Sequence, residues 1–186
     1  MKKRSVRPFR PVYPSPAALV TSISEDGRPN IITLGEVFNI SISEPVILGI
    51  AIAKPRYSHA LISATREYVV NLAKAEMVEK VDRCGSVSGR DVDKFAEFGL
   101  TPVPAEKVRP PLIGECPVSI ECQVIGIQEI GDHDLFLGRA LAEHVAEEAF
   151  DEDGSILVDK LDPLCYQHSE YWSCGNRLGR HGFSRK

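Results

Sequence analysis

This sequence predicts a mainly β fold, a small barrel of short strands with a few helices, and three observations carry that prediction. Apolar, β-rich runs of strand length recur along the chain, each bounded by glycine, proline or Asp-Gly turn signals. Residues 119–125 alternate apolar and polar side chains as a half-buried strand does. The helical stretches are few and short, which favours a barrel over a parallel sheet with its regular crossover helices.

Taken in order, residues 17–24 form the first strand, Glu25-Asp26-Gly27 the turn, and residues 30–34 the returning strand of a hairpin. Glu44-Pro45 breaks the chain before the apolar run 46–52, and Lys54-Pro55 ends that strand. Residues 58–66 carry Ala60, Leu61 and Ala64 at the spacing of a short amphipathic helix. Residues 68–72 are another strand, 76–82 a helix, and 90–98 a second helix with Val92, Phe95 and Ala96 on one side and Asp91 capping its start. Pro102, Pro104, Pro110, Pro111 and Pro117 make residues 100–117 an extended connection. Residues 119–125 and 135–141 pair across a turn at Asp132-His133-Asp134, and 156–158 form a short late strand. There is no internal repeat: residues 1–11 read as a basic arm, and residues 12–186 as one domain with a C-terminal tail.

Composition narrows the class. The chain has 186 residues, 43% hydrophobic and 26% charged, with a formal charge of −4. That is ordinary for a folded domain and gives no field favouring nucleic acid. No apolar run reaches the roughly 18 residues that a membrane-spanning helix needs, so a cytosolic protein without membrane or nucleic-acid partners is expected. The five cysteines are scattered at Cys84, Cys116, Cys122, Cys165 and Cys174. None forms a CxxC pair, so free thiols are expected, with neither a metal site nor a dithiol redox centre.

The most informative stretch is Cys84-Gly85-Ser86-Val87-Ser88-Gly89-Arg90-Asp91-Val92-Asp93-Lys94-Phe95. Small residues and two glycines give way to a charged, helix-compatible segment. Such a stretch can present backbone N–H groups, a hydroxyl and two cations to one anion. The Gly-Lys-Ser/Thr ending of a Walker loop is absent. A plain loop before a solvated helix also fits these residues.

Motifs in a fixed order give the chain a wider resemblance. They are Tyr13-Pro14-Ser15-Pro16, Leu19-Val20-Thr21-Ser22, Asp26-Gly27-Arg28-Pro29-Asn30-Ile31-Ile32-Thr33, Lys54-Pro55-Arg56-Tyr57-Ser58-His59 and Glu67-Tyr68-Val69-Val70-Asn71-Leu72. The glycine-rich stretch follows, then His133 with Leu135 and Gly138, and Tyr171-Trp172 to Leu178-Gly179. In this series, over residues 12–182, the chain resembles the flavin reductase-like family of FMN-binding split barrels, which includes the flavoredoxins. The resemblance implies a Greek-key-like split β-barrel, a homodimer, and FMN bound near the subunit interface.

It also implies a set of cofactor contacts. Arg56, Ser58 and Lys94, with Arg90 beside them, are candidates for the phosphate or ribityl chain. Asn30 and Thr33 fall where the family lines the flavin, and His133 aligns with a family histidine near it. On the residues alone, the cations also fit surface salt bridges, and His133 a solvated turn. Trp172 and Phe183 fit either core anchors or a tail covering the cofactor, and Cys84 a buried structural thiol. Several relatives carry Trp three residues after the Thr, whereas this chain has Glu36. A stacking partner is therefore missing, and a carboxylate near the ring would disfavour an anionic reduced flavin.

The expected function is that of a flavoprotein oxidoreductase in which FMN carries the chemistry, so no catalytic side chain and no metal are assigned. NADH or NADPH would bind transiently, because no G-x-G-x-x-G fingerprint is present. An FMN electron carrier reduced by a redox protein partner, and a non-catalytic flavin-binding module, are the alternatives.

Overall fold

The computed structural model describes residues 1–185. Its twelve strands are β1 (Ser15–Pro16), β2 (Ala18–Ile23), β3 (Pro29–Leu34), β4 (Val37–Ser41), β5 (Ile47–Ala53), β6 (Glu67–Leu72), β7 (Pro102–Val103), β8 (Leu112–Ile113), β9 (Val118–Ile130), β10 (His133–Val145), β11 (Leu164–Gln167) and β12 (Glu170–Ser173). Helix α1 (Tyr57–Thr65) precedes β6, α2 (Val78–Ser86) and α3 (Lys94–Phe98) follow it, and α4 (Val158–Leu161) precedes β11.

Seven strands form one antiparallel sheet in the order β3-β2-β6-β9-β10-β5-β4. Its two edges, β3 and β4, are consecutive in the chain and separated only by Gly35 and Glu36. Three Cα steps reach about 11 Å at most. The sheet must therefore curl until its edges nearly meet, which makes a barrel split between β3 and β4. Strands β1, β11 and β12 form a separate three-stranded sheet.

The apolar runs are continuous because both faces of the wall are covered. Val20, Ile32, Ile50, Ile52, Tyr68, Val70, Cys122 and Phe136 point inward and pack with Ile62 of α1. Their neighbours Leu19 and Ile31 point outward and pack with Val81, Cys84, Phe95, Phe98 and Leu164. Burying such a side chain contributes about 1.5–3 kcal/mol, so the outer cluster fixes α2 and α3 against β3.

Buried polar side chains hold the proline-rich connection. Asn71 Oδ1 accepts from Ile113 N at 3.0 Å and Ser119 Oγ at 2.7 Å, and Thr21 Oγ1 donates to Pro111 O at 2.6 Å. Glu121, fully buried, accepts from the backbone N–H groups of Glu106, Lys107 and Val108.

Several expectations are corrected. The helix predicted at 90–98 starts only at Lys94, because Asp93, not Asp91, caps it by accepting from Phe95 N and Ala96 N. Residues 156–158 make one isolated bridge, Phe150–Ile156, and Val158 already begins α4. Strands β9 and β10 run to thirteen residues each, and their turn lies at Gly131-Asp132, so His133 is the first strand residue. Trp172 is 50% exposed and no core anchor, because β12 is the outer strand of the small sheet. Among the described residues, no helix is long and apolar enough to cross a membrane, and no three metal-binding side chains cluster.

Candidate functional site

The start of α1, the C-terminal end of α2, the loop to α3, and Asn30 and Ile32 of β3 converge on a cleft of about 300 Å³. Five of the predicted residues line it: Asn30, Arg56, Ser58, Arg90 and Lys94. No Asp or Glu lines it, so three cations meet no carboxylate there. Helix α1 adds its own field. Its N-cap, Arg56, makes no side-chain cap, and while His59 N donates to Arg56 O, the N–H groups of Tyr57 and Ser58 are left for an anion.

Lys94 is the unusual member, because its residue is only 5% exposed. Its ammonium donates to Ile31 O at 2.8 Å and to Cys84 O at 2.6 Å. The second bond neutralises the last turn of α2, whose carbonyl end would otherwise oppose an anion. Burial pulls the amine down to about 8, and the nearby Arg56 charge pulls the same way. Burial likewise pushes the Cys84 thiol up to about 11. Cys84 is fully buried, as a structural thiol should be.

Asn30 is set by its neighbours. Its Nδ2 donates to Ser58 Oγ at 2.7 Å, while its buried Oδ1 has no hydrogen-bond partner. Gly89 lies against that oxygen, and a Cβ built there would fall 1.8 Å from it. Only glycine lets the loop approach this closely. Arg90 rests over the Tyr57 ring at 4.9 Å from its centroid, which holds an exposed guanidinium at the cleft mouth.

A second cleft of about 240 Å³ shares Arg56, Gly85 and Ser86 with the first. Thr33 lines this one, with its Oγ1 donating to Val81 O at 2.6 Å. Tyr166 and Tyr171 form another wall, with ring centroids 5.3 Å apart, and Tyr171 donates to Asp82 at 3.2 Å. Beyond it, a cleft of about 390 Å³ shares Arg10, Gly35, Glu36 and Tyr166 and is lined largely by prolines, Val37 and Phe38. Glu36 is not a lone carboxylate: Arg10 Nη1 binds it at 2.5 Å. The basic arm thereby compensates the charge that replaces the family Trp.

His133 is not brought to these clefts. It starts β10 opposite Ala53, and its Nδ1 lies 2.9 Å from Asp132. The clefts also contain residues that sequence reasoning missed. Arg10 read as part of a solvated arm, and Tyr166 sits in a strand without a turn or charge signal.

A small mainly β split barrel thus carries a cleft lined by three cations and no carboxylate, which runs into one walled by aromatic rings. The chain belongs to the family described as the flavin reductase like domain, whose model matches residues 9–175. It superimposes on the flavoredoxin of Desulfovibrio vulgaris (Miyazaki F) with a TM-score of 0.90, at 31% identity and covering 99% of each chain. The flavoredoxin from Methanosarcina acetivorans gives 0.87 at 28% identity, covering 99% of this chain and 97% of that one. A relative of unassigned function from Archaeoglobus fulgidus is 36% identical over 154 residues, 83% of this chain and 84% of its own.

Proposed function

We propose that this protein is an FMN-dependent oxidoreductase, reduced by NADH or NADPH and passing electrons to a further acceptor. The observation that carries this reading is the cleft with three cations and no carboxylate, continuous through Arg56 with the Thr33, Tyr166 and Tyr171 cleft. A phosphate dianion suits the first cleft, and a planar ring suits the second. Asn30, bonded to Ser58 and packed under Gly89, fixes the floor of the first cleft and the approach of its loop.

Bound FMN supplies reversible two-electron chemistry there. The chain's own residues position and shield. Arg56, Arg90 and Ser58 face the phosphate, Lys94 keeps the end of α2 from repelling it, and Arg10 holds Glu36 in an ion pair. The homodimer is supported by the exposed edge strand β4, where Phe38 and Ile40 stand 46% and 47% exposed, and by Ile42, 84% exposed just past its end. Unpaired apolar edges of this kind are normally covered.

An electron carrier fed by another protein is the second reading. It is favoured by the flavoredoxin matches, at 31% and 28% identity. The test is the visible spectrum of FMN-supplemented, desalted protein, recorded anaerobically before and after NADH and NADPH. A retained flavin band that bleaches supports the first reading, and one that persists supports the carrier. No retained band, with no quenching of FMN fluorescence in titration, overturns both.

Two variants locate the phosphate. Arg56→Ala combined with Arg90→Ala weakens FMN binding at least about tenfold, or ~1.4 kcal/mol, and riboflavin binding much less, because riboflavin has no phosphate and meets only Arg56 in the ring cleft. Equal losses for both ligands would sink the assignment. Gly89→Ala drives a methyl into Asn30, so titration shows weaker binding of FMN and riboflavin alike. Wild-type affinity in that variant would mean that the loop does not contact the ligand.

A further inference from the structure

We propose that Cys165 and Cys174 form a two-electron thiol–disulfide site, oxidised by low-molecular-weight disulfides, on the hairpin that walls the second cleft. Their Sγ atoms lie 3.1 Å apart, well inside ordinary sulfur–sulfur contact. The spacing hides the pair from any CxxC scan, because eight residues and a hairpin turn separate the two cysteines. The inference goes beyond the flavin reading and does not depend on it.

The two thiols have different settings, which gives them different roles. Cys165 sits inside β11, its backbone paired with Pro16 of β1 on one side and Trp172 of β12 on the other. It is half-buried and held in place. Cys174 is exposed and lies one residue past the end of β12, outside the ladder. It can therefore meet a solute first, and its backbone can make the small shift that bond formation needs. Burial pushes the Cys165 thiol up to about 11, so it reacts second, within the pair. The other three cysteines have no such access: Cys84 and Cys122 are fully buried, and Cys116 is half-buried with its thiol pushed up to about 12.

The chemistry balances as two exchanges. Cys174 gives up its proton, and its thiolate attacks one sulfur of glutathione disulfide, breaking that S–S bond and releasing one glutathione thiolate. Cys165 then loses its proton and attacks Cys174 in the mixed disulfide, releasing the second glutathione. Two protein thiols are oxidised, one small disulfide is reduced to two thiols, and the two protons end on the released glutathiones. The closed bond ties residue 174, where the C-terminal tail begins, to β11. Tyr166 and Tyr171, whose rings wall the cleft, flank this link on the same hairpin.

The full chain, reduced and desalted anaerobically, is equilibrated in glutathione buffers of graded ratio, acid-quenched, alkylated and digested with trypsin. Both cysteines fall on one fragment, residues 161–177. As the buffer becomes oxidising, that fragment is expected to pass from the doubly alkylated form to one without alkyl groups, two hydrogens lighter than the free dithiol, while protein thiols fall from five to three. Cys165→Ser traps a stable glutathione adduct on Cys174, and Cys174→Ser abolishes reaction at Cys165. Because Cys174 is exposed, its serine variant keeps the fold, which circular dichroism checks. Persistent glutathione adducts in the unmodified sequence, Cys174-linked dimers, or five unreacted thiols would each overturn the proposal.

Discussion

Lys94→Met lowers FMN affinity roughly 10- to 100-fold, and it removes a fall in affinity that the unaltered protein shows above about pH 8. The size follows from losing one buried, charge-assisted interaction, about 1.5–3 kcal/mol. Methionine keeps most of the aliphatic stem and its volume, so the substitution leaves no large cavity. The pH dependence follows from the sign of the shift. The free protein releases the Lys94 proton near 8, whereas a phosphate dianion close by favours the ammonium and raises its value in the complex. Above pH 8, binding must therefore take up a proton, and affinity falls by up to tenfold per pH unit. Guanidinium groups in general do not titrate in this range, so the arginines of the cleft are not the source of the break. Fluorescence titrations of FMN from pH 6.5 to 10 measure it. A flat profile in the unaltered protein, or unchanged affinity in Lys94→Met or Lys94→Ala, would remove Lys94 from the site.

The parts of this molecule that were legible in the sequence were those written in local pattern. The hairpin of β2 and β3 follows from a β-rich run, Asp26-Gly27 and a second run, and the barrel follows from many such strands. The cation cleft was legible as an ordered motif series, and five of the seven candidate residues converge in it. What escaped depends on long-range placement. His133 and Thr33 carry the same kind of motif evidence. Yet the strand pairing sends His133 to the start of β10, while Thr33 turns onto the neighbouring cleft beside Gly85. Nothing local marks Arg10 as the partner of Glu36, since 26 residues separate them. Lys94 read as a candidate phosphate contact on a helix face. Only the packing of α2 and β3 around it shows that two of its donors are already spent on backbone carbonyls. The helix start moves from Arg90 to Lys94 for an equally local reason: Asp91 and Asp93 lie two residues apart, and the one whose oxygen reaches two free amides wins.

Glu121→Ala costs about 3–5 kcal/mol of stability, the largest effect expected from any single substitution on the barrel wall. The carboxylate is fully buried, and it accepts from three consecutive backbone amides, 106 to 108, as well as from His144 Nε2 at 2.6 Å. Truncation orphans the buried Val108 amide, at about 1–3 kcal/mol, and removes charge-assisted bonds from His144 and from the amides of the more exposed Glu106 and Lys107, a loss that water only partly offsets. The proline-rich connection then loses its anchor at residues 106–108 and keeps only the contacts of Arg109, Pro111 and Ile113, because its prolines can donate no backbone bonds of their own. For a chain of this size the loss corresponds to a fall of roughly 10 °C in Tm. Acid acts on the same contact. Burial alone would push this carboxyl up, but the three amides and His144 outweigh it and hold the group below its usual 4.5. Its contribution is therefore fully present above the unfolded value and is lost as pH falls through the lower native one. Glu121→Ala should accordingly flatten the acid side of the stability profile as well as lower it at neutral pH. Residues 106–108 line none of the three clefts, so FMN affinity of the folded variant at low temperature stays at the unaltered level. Thermal melts at pH 7 and 4, with amide exchange read at residues 106–108, measure all three consequences. A Tm within about 2 °C of the unaltered protein, or amides 106–108 that remain protected in the variant, would show that the connection is held by something other than this carboxylate.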